Sequence, residues 1–140
     1  MIEINKELLD SLFEQAKVSE RKRMNYDLRT SAEDTSQRML NALLPGTVVP
    51  IHRHEDTTET VVCLKGRLEG VIYEEVVEYS REETSRTEEV VRKVSFKEVS
   101  RHLICPAEGL YGVQIPAGAW HTIHVIEPSV IFEAKDGAFK

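Results

Sequence analysis

Apolar positions follow two different periods along this 140-residue chain, and the change of period separates an N-terminal part from the rest. Near the N-terminus they are three and four residues apart, which is the spacing of an amphipathic helix. These residues are Leu8, Leu9, Leu12, Phe13 and Ala16. Asn5 stands where a helix N-cap is favoured. The pattern predicts a short N-terminal α-helix over residues 6–17.

After Pro45 and Gly46 the apolar positions form short runs rich in valine and isoleucine, bounded by Pro, Gly or Asp, as is typical of strands. The runs cover residues 48–49, 61–64, 68–73, 103–104, 112–115, 122–126 and 130–134. Residues 71–79 and 90–99 are predicted to be the arms of a long hairpin, and the charges of its tip (80–87) protect the exposed arms from aggregation. Many short strands predict an all-β sandwich or barrel.

The segment 35–44, just before the β-rich region, fits more than one structure. Its apolar residues share one face of a helix, so intrinsic propensity favours a helix there. They are Met39, Leu40, Leu43 and Leu44. Pro45 and Gly46 end the segment whether it is a helix or a strand. The pattern alone therefore leaves its type open.

Length and composition predict one soluble domain and narrow the range of partners. A chain of 140 residues holds one core comfortably, and no apolar stretch approaches the ~20 residues that span a bilayer. The N-terminus does not resemble a secretory signal, so a cytoplasmic location is expected, with Cys63 and Cys105 reduced and packed. A net charge of −6 without a basic stripe argues against nucleic acid. Residues 19–23 are predicted to be a solvated connection, although their basic side chains could reach an anionic ligand.

Most of the residues that could bind a metal ion lie in a run from Gly46 to Gly66. His52 and His54 lie two residues apart in an apolar, β-branched stretch, so on a strand both point to the same face. A carboxylate, with Glu59 the best placed by spacing, and His121 from a later segment can complete a site for one ion. Imidazole nitrogen with carboxylate oxygen suits Fe, Mn, Ni, Zn or Cu and not Ca or Mg.

The same run resembles the first motif of the cupin superfamily, position for position. That motif is a glycine, five residues, His-x-His, three or four residues, a glutamate, six residues and a glycine. Residues 116–121 resemble the core of the second cupin motif, although its leading glycine falls on Leu110 and its closing asparagine on Val125. The resemblance implies a double-stranded β-helix, or jelly-roll barrel, that usually forms homodimers. It also implies that the metal ligands are His52, His54, Glu59 and His121.

Four stretches are similar to the WbuC-type small cupin-fold metalloproteins, which are often associated with surface-polysaccharide gene clusters. They are residues 37–46, 52–54, 115–122 and 132–137. This similarity implies that residues 37–44 are a strand leading into the barrel. Residues 1–34 then form the helix and a connecting segment packed on a barrel of residues 35–140. Asp27-Leu28-Arg29 departs from the family pattern, in which Asn, an apolar residue and His are common, so substrate preference can differ here.

Several further side chains are candidates for contacting a ligand inside such a barrel. Arg38, Asn41, Glu133 and Lys135 lie on segments whose alternate positions line the cavity, and Arg38 or Lys135 could clamp a phosphate or carboxylate. An ordinary surface or rim position is the alternative for each of them. Trp120 could stack on a ligand, although a packing role is the more ordinary one.

The remaining histidines and carboxylates are expected to lie outside the site. His124 is three residues from His121 and should face the other side of a strand, and His102 is expected to be solvated. Glu55 and Asp56 are expected in the turn after His54, facing water.

Two functions from different classes follow from this reading. The first is a metal-dependent enzyme acting on a sugar or nucleotide sugar, either an isomerase or epimerase or an Fe(II) oxygenase, since open metal positions are what catalysis requires. The second is a non-catalytic module in which the metal holds a sugar or an anion. A mainly structural metal is a third alternative, and it predicts that loss of the histidines unfolds the protein.

Overall fold

A computed structural model describes residues 1–83 and 88–137 of the chain. It contains one α-helix, six strands and a short 3-10 helix at Pro106–Glu108. The α-helix and strands are α1 (Lys6–Lys17), β1 (Arg23–Asp27), β2 (Ser36–Leu43), β3 (Glu59–Glu83), β4 (Glu88–Ile104), β5 (Gly112–Ile115) and β6 (Trp120–Asp136). The predicted all-β fold with one short N-terminal helix is confirmed.

α1 covers the predicted residues and begins at the predicted cap. The Asn5 side chain accepts a hydrogen bond of 3.0 Å from the backbone N–H of Leu8, which satisfies one of the free donors of the first turn. Leu12 and Ala16 are fully buried and pack with β2 and β6 on one side of the sheet. The helix therefore covers the outer face of the sheet and leaves the inner face for the site.

All the strand pairings are antiparallel, in the order β1-β2-β6-β3-β4, with β5 also paired to β3. β3 and β6 are long and irregularly paired, with register shifts between Cys63 and Leu68 that let the sheet bend. The bend encloses a second core, opposite the helix. Its buried members are Leu43, Val61, Cys63, Leu68, Ile104, Ile115, Val125 and Ile131.

The ambiguous segment before Pro45 is the strand β2 and not a helix. Leu40 and Ala42 point toward α1, whereas Asn41 and Leu43 point toward the inner face, which is the alternation of a strand. Both edges of β2 are hydrogen-bonded, one to β1 and one to β6. Pairing on two sides and burial on two faces outweigh the local helix propensity.

The sequence predicts a connecting segment between the helix and residue 34, but part of it is the strand β1. Met24 and Tyr26 pack against the helix cluster, while Arg23 and Asn25 lie on the inner face. The apolar residues of Met24-Asn-Tyr-Asp-Leu28 alternate with polar ones, a strand pattern that the basic residues before it obscured. This correction places Arg23, which is half-buried, on the wall of the inner cavity.

The charged hairpin is longer than its predicted arms of 71–79 and 90–99. Leu68–Glu83 of β3 pairs with Glu88–Ile104 of β4, with a bulge after Ile72. Residues 84–87 of the predicted tip lie outside the described part of the chain. The distal part of the ribbon is exposed, as expected from its charge.

Both cysteines are buried free thiols, as expected for structural residues. The Cys63 thiol donates to the carbonyl of Lys65 at 3.3 Å, and burial raises the pKa of this thiol to about 11. It stays protonated at neutral pH and is a poor nucleophile. Within the described residues, no helix is both long and apolar enough to cross a membrane.

Candidate metal centre

The four predicted ligands come from three separate parts of the chain that hydrogen bonds hold together. His52 and His121 form an isolated antiparallel bridge, with N–H to carbonyl distances of 3.0 and 2.8 Å. The carbonyl of His54 accepts from the N–H of Gly118 at 2.8 Å. Glu59 opens β3 and is paired with β6. Backbone pairing therefore fixes the positions of the Cα atoms from which these side chains extend.

Their side chains converge so that one potential ligand atom from each lies within 4.8 Å of the other three. The His52 and His121 rings are closest, with centroids 4.3 Å apart, and His54 lies 5.2 and 5.7 Å from them. The Glu59 Oε2 atom is 2.8 Å from His54 Nε2 and 3.9 Å from His121 Nε2. Opposite ligands of a transition metal at about 2.1 Å are about 4.2 Å apart, so small side-chain rotations complete a shell.

Two of the rings are oriented for metal binding by carbonyl groups behind them. His52 Nδ1 and His121 Nδ1 each lie 2.8 Å from a backbone oxygen, of Pro50 and Ala119 respectively. Each Nδ1–H therefore donates a hydrogen bond to that carbonyl oxygen, and the lone pair of each Nε2 faces the site. This is the usual arrangement behind a metal-bound imidazole.

The Nε2 atom of His121 gives the strongest sign that the site fits an ion. His121 is only 2% exposed, and among the described residues its Nε2 has no hydrogen-bond partner. A buried polar atom without a partner is costly, and a metal bond would satisfy it. The donor set of three imidazoles and one carboxylate is also one that transition metals bind.

His54 is positioned by a cation. Lys135 Nζ lies 3.0 Å from His54 Nδ1 and donates to it, so the neutral ring carries its proton on Nε2 and donates to Glu59. A metal that takes this Nε2 must displace the proton.

Burial keeps His54 and His121 in the form that binds metal. It lowers the pKa of both His54 and His121, and the nearby Lys135 ammonium lowers the pKa of His54 further. Both rings are therefore neutral at pH 7, which is the metal-binding form.

The centre faces a cavity of about 310 Å³ whose walls come from β1, β2, β6 and the segment before His52. Glu133 and Asn41 lie together on its inner face, and Asn41 Oδ1 is buried without a partner among the described residues. Burial and the neighbouring Glu59 carboxylate raise the pKa of Glu133 to about 8. Lys135 and Arg38 also line the cavity. Four of the five further candidate residues are thus at the cavity wall.

Two of the candidates have partners of their own. The Arg38 guanidinium is held by Asp34 at 3.0 Å and by the Ser36 carbonyl at 2.7 Å. Trp120, which is not among the lining residues of the cavity, packs against Phe96 and under the Arg53 guanidinium, with centroid distances of 4.9 and 4.6 Å. Packing accounts for the position of Trp120.

The alternatives to the four ligands lie elsewhere. His124 is exposed and 3.1 Å from Glu69, and His102 is exposed beside Ser100. Glu55 is exposed and paired with Arg53, and Asp56 is exposed as well.

Among the polar residues that line the cavity, the sequence did not indicate Asn25 and Gln37. Arg21 and Arg23 also line it, although residues 19–23 were expected to be a solvated connection, with an anionic ligand as the alternative for their basic side chains. The alternation of polar and apolar residues in β1 could have indicated Arg23 and Asn25. Nothing in the sequence around Gln37 indicates that it lines the cavity. Its place follows from the register of β2 against β6, which pairs it with Lys135.

Comparison with known proteins agrees with this fold. The model of a family described as a domain of unknown function, DUF6016, matches residues 4–84, and none of the curated proteins matches the sequence. CapF from Staphylococcus aureus, a capsular polysaccharide assembling protein, matches over 88% of this chain with 21% identity and a TM-score of 0.51. CapF with the inhibitor 3-isopropenyl-tropolone matches over 88% with 18% identity and a TM-score of 0.55.

A third similar structure is E. coli YcfD, with 15% identity over 74% of this chain and a TM-score of 0.52. The chain spans only 28%, 30% and 26% of the three matched structures, in the order given. CapF and YcfD are cupin-fold proteins, and at these identities the likeness concerns the fold alone. The fold of this chain is cupin-like, and its histidine and glutamate cluster fits a metal-binding cupin.

Proposed function

The chain belongs to the DUF6016 family, and we propose that it binds one divalent transition metal through His52, His54, Glu59 and His121 and uses it on a small sugar-type molecule. The observation that carries the proposal is the convergence of the four ligand atoms around the partnerless Nε2 of His121.

The chemistry of the site follows from what surrounds the four ligands. A bound divalent metal supplies a Lewis acid that polarises a carbonyl or hydroxyl group. The chain holds the ligands in place through Pro50, Ala119 and Lys135 and encloses the cavity with the inner face of the sheet. Asn41 and Glu133 offer polar groups on the wall that can hydrogen-bond to sugar hydroxyls.

The proposed substrate class is a sugar or nucleotide sugar of surface-polysaccharide metabolism. It is supported by the similarity to WbuC-type proteins and by the fold shared with CapF, a capsular polysaccharide assembling protein. A cavity of about 310 Å³ is at the lower end for ligand sites, which suits one sugar unit better than a whole nucleotide sugar.

Elemental analysis tests the metal proposal directly. Protein purified without chelators should contain about one equivalent of Fe, Mn, Ni, Zn or Cu, and His52→Ala and His121→Ala should each lose it. His124→Ala is the matched control, since it removes an exposed imidazole outside the site. Equal metal content in all of these proteins would overturn the assignment of the ligands.

Turnover separates an enzyme from a binding module. Metal-loaded protein is incubated with candidate sugars and sugar nucleotides, with and without oxygen, and products are followed by mass spectrometry and proton exchange. Conversion that is lost in His121→Ala supports the enzyme. Saturable binding without any conversion supports the non-catalytic module instead.

We also propose a homodimer, and the cytoplasmic location stays a prediction. The distal hairpin carries an exposed apolar stripe on one face, and β4 is the last strand in the sheet order. The stripe consists of Val77, Tyr79, Val90, Val94 and Phe96. Light scattering should give twice the chain mass of 16.0 kDa, and Val94→Glu should give a monomer. A monomeric wild-type protein would contradict the proposal.

A further inference from the structure

The inner face of β1 carries a basic group that the metal centre does not use. Because Met24 and Tyr26 face the helix, Arg23 and Asn25 face the cavity. Arg23 is paired with Leu43 of β2, whose side chain belongs to the inner core. Arg21, two residues earlier, lines the same cavity at its exposed edge.

Neither arginine forms an ion pair with a carboxylate in residues 1–83 and 88–137. The Arg23 guanidinium is held instead by the carbonyl of Val48 at 2.9 Å. Burial lowers the pKa of Arg23, and the positive charge of Arg21 lowers it further. Glu133, deeper in the cavity, offsets this only in part. Neither guanidinium group is therefore paired with a carboxylate in the described part of the chain.

The backbone between the two arginines is held in an unusual conformation. Lys22 has a φ of 56°, in the left-handed region, and it is the only residue other than glycine with a positive φ among those described. Its carbonyl accepts from the N–H of Leu44 at 3.0 Å, and the Arg21 carbonyl accepts from the Thr47 hydroxyl at 2.7 Å. Strained backbone that is fixed from outside is a recurrent feature of binding sites.

The arginines and the metal centre are linked by one short segment. Val48, whose carbonyl holds Arg23, is four residues before His52, so their Cα atoms are at most about 14 Å apart. Pro50, between them, holds the His52 ring. Both arginines and all four ligands line the same cavity, so one small molecule in it can contact the metal centre and the arginines together.

We propose that Arg21 and Arg23 form an oxyanion subsite at the mouth of the cavity, which binds the phosphate or carboxylate group of a small molecule whose polar end reaches the metal centre. The contact of the ligand's polar end with the metal centre rests on the proposed function, whereas anion binding by the two arginines does not. Guanidinium groups bind both kinds of oxyanion through paired N–H donors. Within the proposed sugar class, the subsite selects an acidic or phosphorylated sugar.

Calorimetric titration of metal-free protein with inorganic phosphate, and separately with acetate, tests the subsite at low ionic strength. Arg23→Gln should weaken binding of the preferred anion at least about tenfold, and Arg23→Lys should weaken it less, because charge remains and the paired donors are lost. Lys22→Gln is the matched control. It removes the same charge from the same segment but outside the cavity, and it should change the affinity less than about twofold. Preference for phosphate indicates a phosphorylated ligand, and preference for acetate indicates a carboxylate.

Equal weakening by Arg23→Gln and Lys22→Gln would show general charge attraction and overturn the subsite. Failure of the wild-type protein to bind either anion would overturn it as well. Metal uptake is measured on separate portions of the same metal-free preparations, so the two proposals fail separately. Anion binding lost in Arg23→Gln supports the subsite even in a protein that takes up no metal.

Discussion

The Nε2 atom of His121 lies 3.9 Å from the Oε2 atom of Glu59, too far for a hydrogen bond and close enough for both to bind one ion. Both side chains are buried, with exposures of 2% and 6%. Their separation is what distinguishes this pair from an ordinary buried His–Glu contact, in which the two atoms would meet directly.

Metal should therefore stabilise the folded protein. At a free metal concentration 100 times the dissociation constant, the free energy of unfolding should rise by about 2.7 kcal/mol. His52→Ala combined with His54→Ala should remove this gain and leave a folded protein, measured by thermal melts with and without metal. If the double variant is unfolded without denaturant, the metal or its ligands have a mainly structural role.

Metal binding should weaken in acid. Protonated imidazole does not bind metal, and the unfolded value for histidine is about 6.5. Because burial lowers the pKa of His54 and His121, these rings stay neutral below that pH, and metal loss should be centred between about pH 6 and 5. The pH dependence of metal loss is measured as the metal content after dialysis at several pH values across this range. His124→Ala is the control and should give the same dependence as the wild-type protein.

The same shifts predict the acid sensitivity of the metal-free protein. The folded pKa of each ring is lowered, so the unfolded chain binds more protons and stability rises with pH. This contribution is fully present above about pH 6.5 and is lost as the pH falls toward the folded values. Urea melts at several pH values check the sign, and stability that increases on acidification through this range would contradict it.

Lys135 should tune the His54 ring. Replacing it with methionine removes the ammonium that lies 3.0 Å from His54 Nδ1 and helps to lower the pKa of that ring, so the pKa of His54 should rise. Proton NMR titration of metal-free protein measures the shift. Lys97→Met is the control, because it removes the same charge from the distant hairpin. An unchanged His54 titration in Lys135→Met would mean that the contact does not persist in solution.

The sequence was most informative where chemistry and spacing coincide. His52 and His54 share a face because residues two apart on a strand do so, and Asn5 begins α1 because its side chain suits that position. β1 was missed because its alternation of polar and apolar residues is short and follows a basic run, which is typical of solvated loops. The Lys135 contact with His54 joins residues 81 apart in sequence. It depends on the register that places Lys135 of β6 opposite Glu59 of β3, five residues after His54, and the sequence alone does not give that register.

Gly66, which closes the first motif, should tolerate no side chain. A Cβ there would lie 2.2 Å from Ser129 Oγ and 2.5 Å from the Pro128 carbonyl oxygen, and its φ is +117°. Gly118 is the matched control, since its φ is +83° but no atom lies within 4 Å of a Cβ placed on it. Gly118→Ala should cost only the backbone strain, about 1 kcal/mol, whereas Gly66→Ala adds overpacking and should cost at least about 3 kcal/mol. Urea denaturation of both variants measures the difference, and equal losses would mean that the contact between β3 and β6 at Ser129 gives way easily.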